Sequence, residues 1–312
     1  MMLARVADSL YWLGRYVERA EHISRLSSVM LNATLDRTDA GEQAAAIALA
    51  AITESHPNSA PNAVAAAHDL TMGREEHGSV LVSISRAREN ARQVRDQITT
   101  ETWERLNLLW LRVVGDGAEE AFADDAASFL HDIIADLHLF KGAADATMSH
   151  GEGWRFLTLG VYIERAQLIS HLLEVCFGDQ ERPPITDHIA QMNVLKMGCA
   201  LEPYLRVYTA DIQLKYILDF LLFDQDFPRS IRFCTQKLEE TLVDLCDVRH
   251  DTAEPLRLAG RLNARLRYAD VDEIEEIGAS ALLKTVTSEC ERIHEALYET
   301  FVAYPLEFGL PA

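Results

Sequence analysis

Residues 10–26 read Leu-Tyr-Trp-Leu-Gly-Arg-Tyr-Val-Glu-Arg-Ala-Glu-His-Ile-Ser-Arg-Leu, and residues 156–172 repeat much of this stretch 146 positions later. Nine of the 17 aligned positions are identical, including the run Gly-x-Tyr-x-Glu-Arg-Ala. Apolar residues recur three and four positions apart in both copies, which is typical of a long amphipathic helix. Self-similarity at a fixed shift predicts that the chain contains two copies of one structural unit.

The rest of the chain favours the same fold class. A second, weaker echo pairs Ser79-Val80 with Ser230-Ile231 at a shift of 151, and helical periodicity recurs in most other segments. No segment alternates with the period of two that indicates a strand. We predict an all-α, internally duplicated helical bundle, in which two units related by a pseudo-twofold axis share a core. The 312 residues form a single domain, with unit 1 at about 1–145, unit 2 at about 146–304, and a short C-terminal tail.

Net charge, apolar runs and cysteine spacing limit the partners and the cellular compartment that the sequence is compatible with. The formal net charge is −20, which argues against nucleic acid and anionic membrane surfaces, because both attract basic patches. The sequence contains no run of about 18 apolar residues, so it predicts no membrane span. The N-terminus lacks the pattern of a signal peptide. The five cysteines form no CxxC pair. These features predict a cytoplasmic protein with reduced thiols.

The Glu-Arg pair of each repeat copy is the main candidate site. On the first helix, Glu18 shares a polar face with Arg15 and His22, and Arg19 lies at its flank; taken alone, this is an ordinary solvated face. In the second copy apolar residues replace Arg15 and His22, so Glu164 is expected to be partly buried and to need a cationic partner. The candidate partners are arginines on the same or another helix: Arg86, Arg88, Arg92, Arg155, Arg165, Arg229 and Arg232.

Adjacent helical residues point about 100° apart, so Glu164 and Arg165 are expected to reach different partners. Two interpretations stay open for the pairs. They lock helices together at the interface of the two units, or they line a polar cavity that binds or activates a ligand. Ion networks in helical cores are more often architecture than catalytic sites, which favours the first interpretation.

Three further patterns carry candidate chemistry. Arg88, Arg92 and Arg95 form a basic stripe that could grip an anion or pair with local acids such as Glu89. Residues 151–156 precede the second Glu-Arg helix and either cap it or border the polar site with Trp154 and Arg155. The Glu-x-x-His spacing at 291–294 occurs once, whereas a di-iron bundle needs two copies and two more carboxylates. We therefore predict no metal and no cofactor.

Several blocks resemble the bacterial alpha-E domain family, which is named for its helical fold and its Glu-Arg motif. They occur in order over nearly the whole chain, at 10–21, 87–92, 103–107, 145–149, 151–156, 201–204 and 227–234. The resemblance implies genomic association, or fusion, with a circularly permuted ATP-grasp protein, and often a transglutaminase-like peptidase nearby. ATP-grasp enzymes activate a carboxylate as an acyl phosphate and join it to an amine.

Three hypotheses follow. The first is an accessory subunit of an ATP-grasp amide ligase, which binds the ligase or its peptide substrate. The second is a stand-alone enzyme, in which Glu18 or Glu164 acts as general base and the neighbouring arginine stabilises an anion. The third is a helical protein whose carboxylates and histidines bind a metal.

Overall fold

The computed structural model describes residues 2–35, 38–53, 62–74, 78–177, 185, 187–209, 211–246, 253–269 and 278–302. This part of the chain contains fourteen helices and no strand, which confirms the predicted all-α class. The helices are α1 Ala4–Thr34, α2 Asp39–Thr53, α3 Ala63–Met72, α4 Val80–Gln93, α5 Thr100–Val114, α6 Ala118–Asp124, α7 Ala126–Thr147, α8 Glu152–Phe177, α9 His188–Met197, α10 Leu201–Tyr208, α11 Leu214–Phe223, α12 Ile231–Cys246, α13 Ala253–Tyr268 and α14 Ala279–Phe301. The predicted tail beyond 304 lies outside the described residues.

Short polar side chains start several of these helices. The hydroxyl of Ser79 accepts a hydrogen bond from the backbone N–H of Val82, and Thr99 does the same for Thr102. The carboxylate of Asp125 accepts from the N–H of Ser128. Each contact satisfies one of the backbone donors that the first turn of a helix leaves unpaired. Sequence therefore sets where α4, α5 and α7 begin.

The two repeat copies form α1 and α8, which pack against each other along the centre of the molecule. A Cβ atom built on Gly14 would lie 2.2 Å from the carbonyl oxygen of Leu157, and one built on Gly160 would lie 2.0 Å from that of Tyr11. Only glycine permits backbones to approach this closely. The crossing brings Glu18 and Glu164, one turn further along, to the same interface.

The remaining long helices surround this central pair. Helix α1 also contacts α4 and α7, and α5 closes that group by contacting both. Helix α8 contacts α12 and α14, and α13 closes the second group in the same way. The buried apolar side chains of all these helices form one continuous core. No helix in the described ranges is both long enough and apolar enough to cross a bilayer.

Candidate functional site

Glu18 lies at the centre of a buried ion cluster. It is fully buried, and Arg165 donates to it from Nε to Oε1 at 2.7 Å and from Nη2 to Oε2 at 2.8 Å. Lys141 donates to Oε2, and the Nη1 atom of Arg229 lies 3.2 Å from Oε1. Arg165 also donates to the carbonyl oxygen of Pro228 at 3.0 Å. The first carboxylate of the repeat is therefore bound by the arginine of the second copy.

Glu164 is bound in the reciprocal direction. Its Oε2 accepts from Nε of Arg15 at 2.6 Å, and its Oε1 accepts from Nε of Arg19 at 2.5 Å. Arg15 also donates to the side chain of Gln167 at 2.9 Å. The expectation that Glu164 and Arg165 reach different partners is confirmed. The Glu-Arg pairs of the two copies exchange partners across the α1–α8 contact.

Glu164 is bound by arginines from another helix, as predicted, but not by the ones named as candidates. Its cations come from α1 itself, and not from the set Arg86, Arg88, Arg92, Arg155, Arg165, Arg229 and Arg232. The physical reason is the close approach at Gly14 and Gly160, which places each motif carboxylate opposite the arginines of the other copy. Of that set, Arg165 and Arg229 belong to the cluster, but Arg165 binds Glu18, and Arg229 binds Glu18 and Glu21.

The polar face of the first helix, which looks solvated when that helix is taken alone, is enclosed in the structure. Arg15 is 7% exposed and His22 is 1% exposed, and Glu18 is completely enclosed. Helix α8 covers one side of α1, while α7 and the segment before α12 cover another. A polar face is compatible with such burial because nearly all of its charges are paired.

Sequence reasoning missed Glu21 and Lys141, which extend the cluster. Lys141 bridges the carboxylates of Glu18 and Glu21, and Arg229 also donates to Glu21. Arg25 lies 3.0 Å and His138 3.1 Å from the same carboxylate. The repeat does not mark Glu21, because Gln167 occupies the aligned position in the second copy. One signal was available: Lys141 is the only lysine before position 196.

The electrostatics of the cluster keep its carboxylates ionised. Burial alone would raise the pKa of Glu18, but the adjacent Arg165, Lys141 and Arg229 hold it far below its usual range. The pKa of Glu164 is likewise lowered, since Arg15 and Arg19 outweigh its burial. A general base needs a free lone pair and a pKa near the working pH. Both motif carboxylates are fully engaged, so the geometry does not favour them as bases.

Within the part of the chain that the structure describes, two cavities border the cluster. The first, of about 550 Å³, lies between α7, α8 and α12, and its lining includes Lys141, Arg165, Trp154 and Arg155. The second, of about 380 Å³, is lined from α1, α2, α4, α8 and α14 and contains Arg19, His22 and Glu164. Each cavity thus exposes the arginine of one motif copy. The ion pairs therefore join the two helices and also border both cavities.

A family model matches residues 2–302 and is described as a predicted alpha-helical domain with a conserved ER motif. The chain belongs to the Alpha-E family. Uncharacterized proteins of Mycobacterium bovis and Mycobacterium tuberculosis are 26% identical over 315 aligned residues, a match that covers 94% of this chain and 35% of each relative. The Alpha-E chain therefore spans about a third of the length of these curated relatives. No solved structure matches it.

The segment predicted to precede the second Glu-Arg helix is instead part of it, since α8 begins at Glu152. From its first turn, Trp154 and Arg155 of the Alpha-E chain border the first cavity, outside the cluster. The Trp154 ring stacks on His150 with centroids 4.0 Å apart, and Nε of Arg155 lies 3.7 Å from a carboxylate oxygen of Asp244. Arg232 instead donates to the carbonyl oxygen of Phe223 at 3.1 Å and lines a separate surface groove. It does not reach the Glu-Arg cluster.

The basic stripe of α4 is engaged locally. Arg92 forms an ion pair with exposed Glu89 at 2.7 Å. This is the local pairing that the sequence offered as the alternative to an anion site. Arg88 donates to Asn107 at 2.8 Å and stacks over Trp110 with its guanidinium 3.9 Å from the ring centre. These residues contribute nothing to the Glu-Arg cluster.

The single Glu-x-x-His pair does not assemble a metal site in the described part of the Alpha-E chain, where no three His, Cys, Asp or Glu side chains are grouped to hold an ion. The Nδ1 atom of His294 is hydrogen-bonded to the hydroxyl of Tyr11 at 2.9 Å, and the two rings stack. Glu291 faces the second cavity instead. Glu291 and His294 therefore contact different parts of the structure.

Proposed function

We propose that this Alpha-E chain is a cytoplasmic, non-catalytic partner subunit of an ATP-grasp amide ligase. The proposal that the chain is non-catalytic rests on the state of the two motif carboxylates. Glu18 and Glu164 are both buried, and each of their carboxylate oxygens is bound by a cation. Residues so engaged stabilise a scaffold and are poor proton acceptors. In this proposal the Glu-Arg pairs hold together the body on which the ligase or its peptide substrate binds.

We also propose that the body arose by duplication and has pseudo-twofold symmetry. The hydroxyl of Ser79 donates to a carbonyl six residues earlier and accepts the N–H three residues later, and that of Ser230 does the same. Arg19 stacks on Tyr16 at 5.6 Å, and Arg165 on Tyr162 at 5.1 Å. Matching contacts at several independent positions support a common origin, because helical composition alone would not produce them.

Two observations support a ligase as the partner. The resemblance of the chain to the alpha-E family implies association with a circularly permuted ATP-grasp protein, with a transglutaminase-like peptidase as a further partner. The mycobacterial relatives match over only 35% of their length, so the domain is joined there to additional sequence. A helical body that works beside a second protein is consistent with both.

The test is reconstitution with the circularly permuted ATP-grasp protein from the same genome. The tagged chain and that protein are co-expressed, and co-elution is measured by size-exclusion chromatography. ATP-dependent ADP release and amide products are then measured by mass spectrometry, with and without the chain. We expect a stable complex and faster amide formation, with no turnover by the isolated chain.

Matched variants separate the alternatives. Glu164→Gln perturbs the motif, and Glu89→Gln changes an exposed carboxylate of similar chemistry on α4. A ligase that is equally active alone and does not co-elute with the chain overturns the proposal. Turnover by the isolated chain, lost in folded Glu164→Gln and kept in Glu89→Gln, would instead support the stand-alone enzyme. Stoichiometric metal in the purified protein would support the metal-binding hypothesis.

A further inference from the structure

The part of the buried cluster around Glu18 and Glu21 carries more positive than negative charge. The adjacent cations, which outweigh burial, hold the pKa of both carboxylates well below the usual range, so both are ionised at pH 7. Within the described residues, four cations lie within 3.2 Å of the two carboxylates: Arg25, Lys141, Arg165 and Arg229. Four cations against two carboxylates leave a surplus of two positive charges, in a chain whose net charge is −20.

Most of this positive charge lies out of contact with bulk water. The side chains of Arg165 and Arg229 are 10% and 9% exposed, and that of Lys141 is 22% exposed. In the described part of the chain, no third carboxylate forms an ion pair with any of these three residues. Because charges that lose their hydration need a countercharge, the cluster favours a further anion beside its cations.

The first cavity gives an anion access to two of these cations, since Lys141 and Arg165 are part of its wall. The ammonium group of Lys141 has three N–H donors and donates to Glu18 and Glu21. The guanidinium of Arg165 has five donors, and three hydrogen bonds join it to Glu18 and to the carbonyl oxygen of Pro228. Both side chains therefore keep N–H donors beyond their ion pairs.

The other charges of the cavity wall do not oppose an anion. Nε of Arg155 lies 3.7 Å from Asp244, which is too far for a hydrogen bond, so Arg155 is a further available cation. The side chains of Asp145 and Asp244 are 72% and 60% exposed, so water and salt screen them. Lys237 and Glu240 in the wall form an ion pair with each other. The least exposed charges of the cavity are thus its cations.

The rest of the wall is suited to an apolar ligand body. Phe140, Leu157, Val161, Tyr162 and Trp154 contribute apolar and aromatic surface. The volume of about 550 Å³ lies within the ~300–1,000 Å³ typical of small-molecule sites. A bare inorganic anion would leave the apolar surface in contact with water, whereas an organic anion would cover it.

We propose that the first cavity binds a small organic anion. The carboxylate or phosphate group of this ligand lies against Lys141, Arg155 and Arg165, where it offsets the surplus of buried positive charge. Its aromatic or aliphatic body packs against Trp154 and Tyr162. This inference goes beyond the ligase partnership and does not depend on it.

Isothermal titration calorimetry of the full chain tests the proposal with benzoate, hexanoate, phenyl phosphate and hexyl phosphate as probes. We expect saturable binding of at least one probe, and the four distinguish carboxylate from phosphate and aromatic from aliphatic ligands. The neutral counterparts benzamide, hexanamide, phenol and hexanol are expected to bind about tenfold more weakly or worse, because they cannot form the charge-assisted hydrogen bonds.

Two variants tie binding to this cavity. Arg155→Gln is expected to weaken binding about tenfold, because it removes a cation from the wall. The matched control is Arg257→Gln, which changes an exposed arginine that pairs with Glu254 on α13, outside the cavity lining, and should leave binding unchanged. Half-buried Val161→Trp fills the cavity and is expected to abolish binding, with folding checked by circular dichroism.

The comparison of Arg155→Gln with Arg257→Gln keeps the test valid if Val161→Trp fails to fold. Three results overturn the proposal. They are absence of binding by all four anions, binding of the neutral counterparts as tight as that of the anions, and binding that Arg155→Gln and Arg257→Gln leave equally unchanged.

Discussion

Replacing Glu18 by glutamine removes the charge that neutralises the buried cations around it. The amide of glutamine fits the same space, but it cannot accept two hydrogen bonds from Arg165 while also compensating Lys141 and Arg229. The variant is therefore left with buried positive charge that has lost its partner. We expect a large loss of stability without a change of fold.

The magnitude follows from the burial of the pair. Removing one partner of a buried ion pair costs about 3–5 kcal/mol, because the remaining charge is uncompensated. The entropy of unfolding is about 2.1 cal/mol/K per residue, or about 0.7 kcal/mol/K for a chain of 312 residues. Glu18→Gln should therefore lower Tm by about 4–8 °C.

Differential scanning calorimetry of Glu18→Gln beside Glu89→Gln measures the effect. Glu89 also pairs with an arginine, but the pair is exposed and is expected to contribute nothing measurable. The loss in Glu18→Gln should persist at high salt, because buried pairs are weakly screened. A Tm for Glu18→Gln equal to that of the wild type would refute the reasoning.

Three further predictions concern other parts of the molecule. Gly14→Ala should prevent normal packing of α1 on α8, since the new Cβ meets a carbonyl oxygen at 2.2 Å. Gly142→Ala, with open space around it, should instead raise the free energy of unfolding by about 0.5–1 kcal/mol. Thermal denaturation of the two variants measures the difference. Burial lowers the pKa of His22 to about 3 in the folded chain, so between pH 6.5 and 3 this histidine binds a proton only in the unfolded chain. The free energy of unfolding should therefore fall as the pH decreases from about 6.5. His22→Gln should weaken this pH dependence in urea titrations at pH 7, 6 and 5. Burial raises the pKa of the Cys234 thiol to about 12, so iodoacetamide at pH 8 should label half-buried Cys199 well before Cys234, as peptide mass spectrometry would show; the reverse order would contradict the predicted burial.

Local patterns in the sequence were sufficient for the fold class. The three-and-four spacing of apolar residues predicted helices at α1 and α8, and the serine at position 79 marked the start of α4. Such signals act within a few residues and do not depend on the rest of the chain. The repeat also contained the glycine pair, Gly14 and Gly160, whose lack of a side chain permits the central crossing.

The partners inside the cluster could not be predicted from local patterns. Glu18 looks solvated on a helical wheel, and only the packing of α7, α8 and the segment before α12 makes it buried. Lys141 and Arg229 come from distant positions, and no sequence periodicity relates them to Glu18 or Glu21. A charged residue in a helix is compatible with both exposure and a paired interior, so the choice belongs to tertiary structure.

The central claim is that each motif carboxylate is held by the arginine of the other repeat copy. A double-mutant cycle of Glu18→Gln and Arg165→Gln, measured as free energies of unfolding in urea, tests it most directly. The account predicts a coupling free energy of about 1–3 kcal/mol, because the second substitution removes the charge that the first leaves unpaired. Effects that add to within about 0.5 kcal/mol would show that the two residues act independently and would contradict the account.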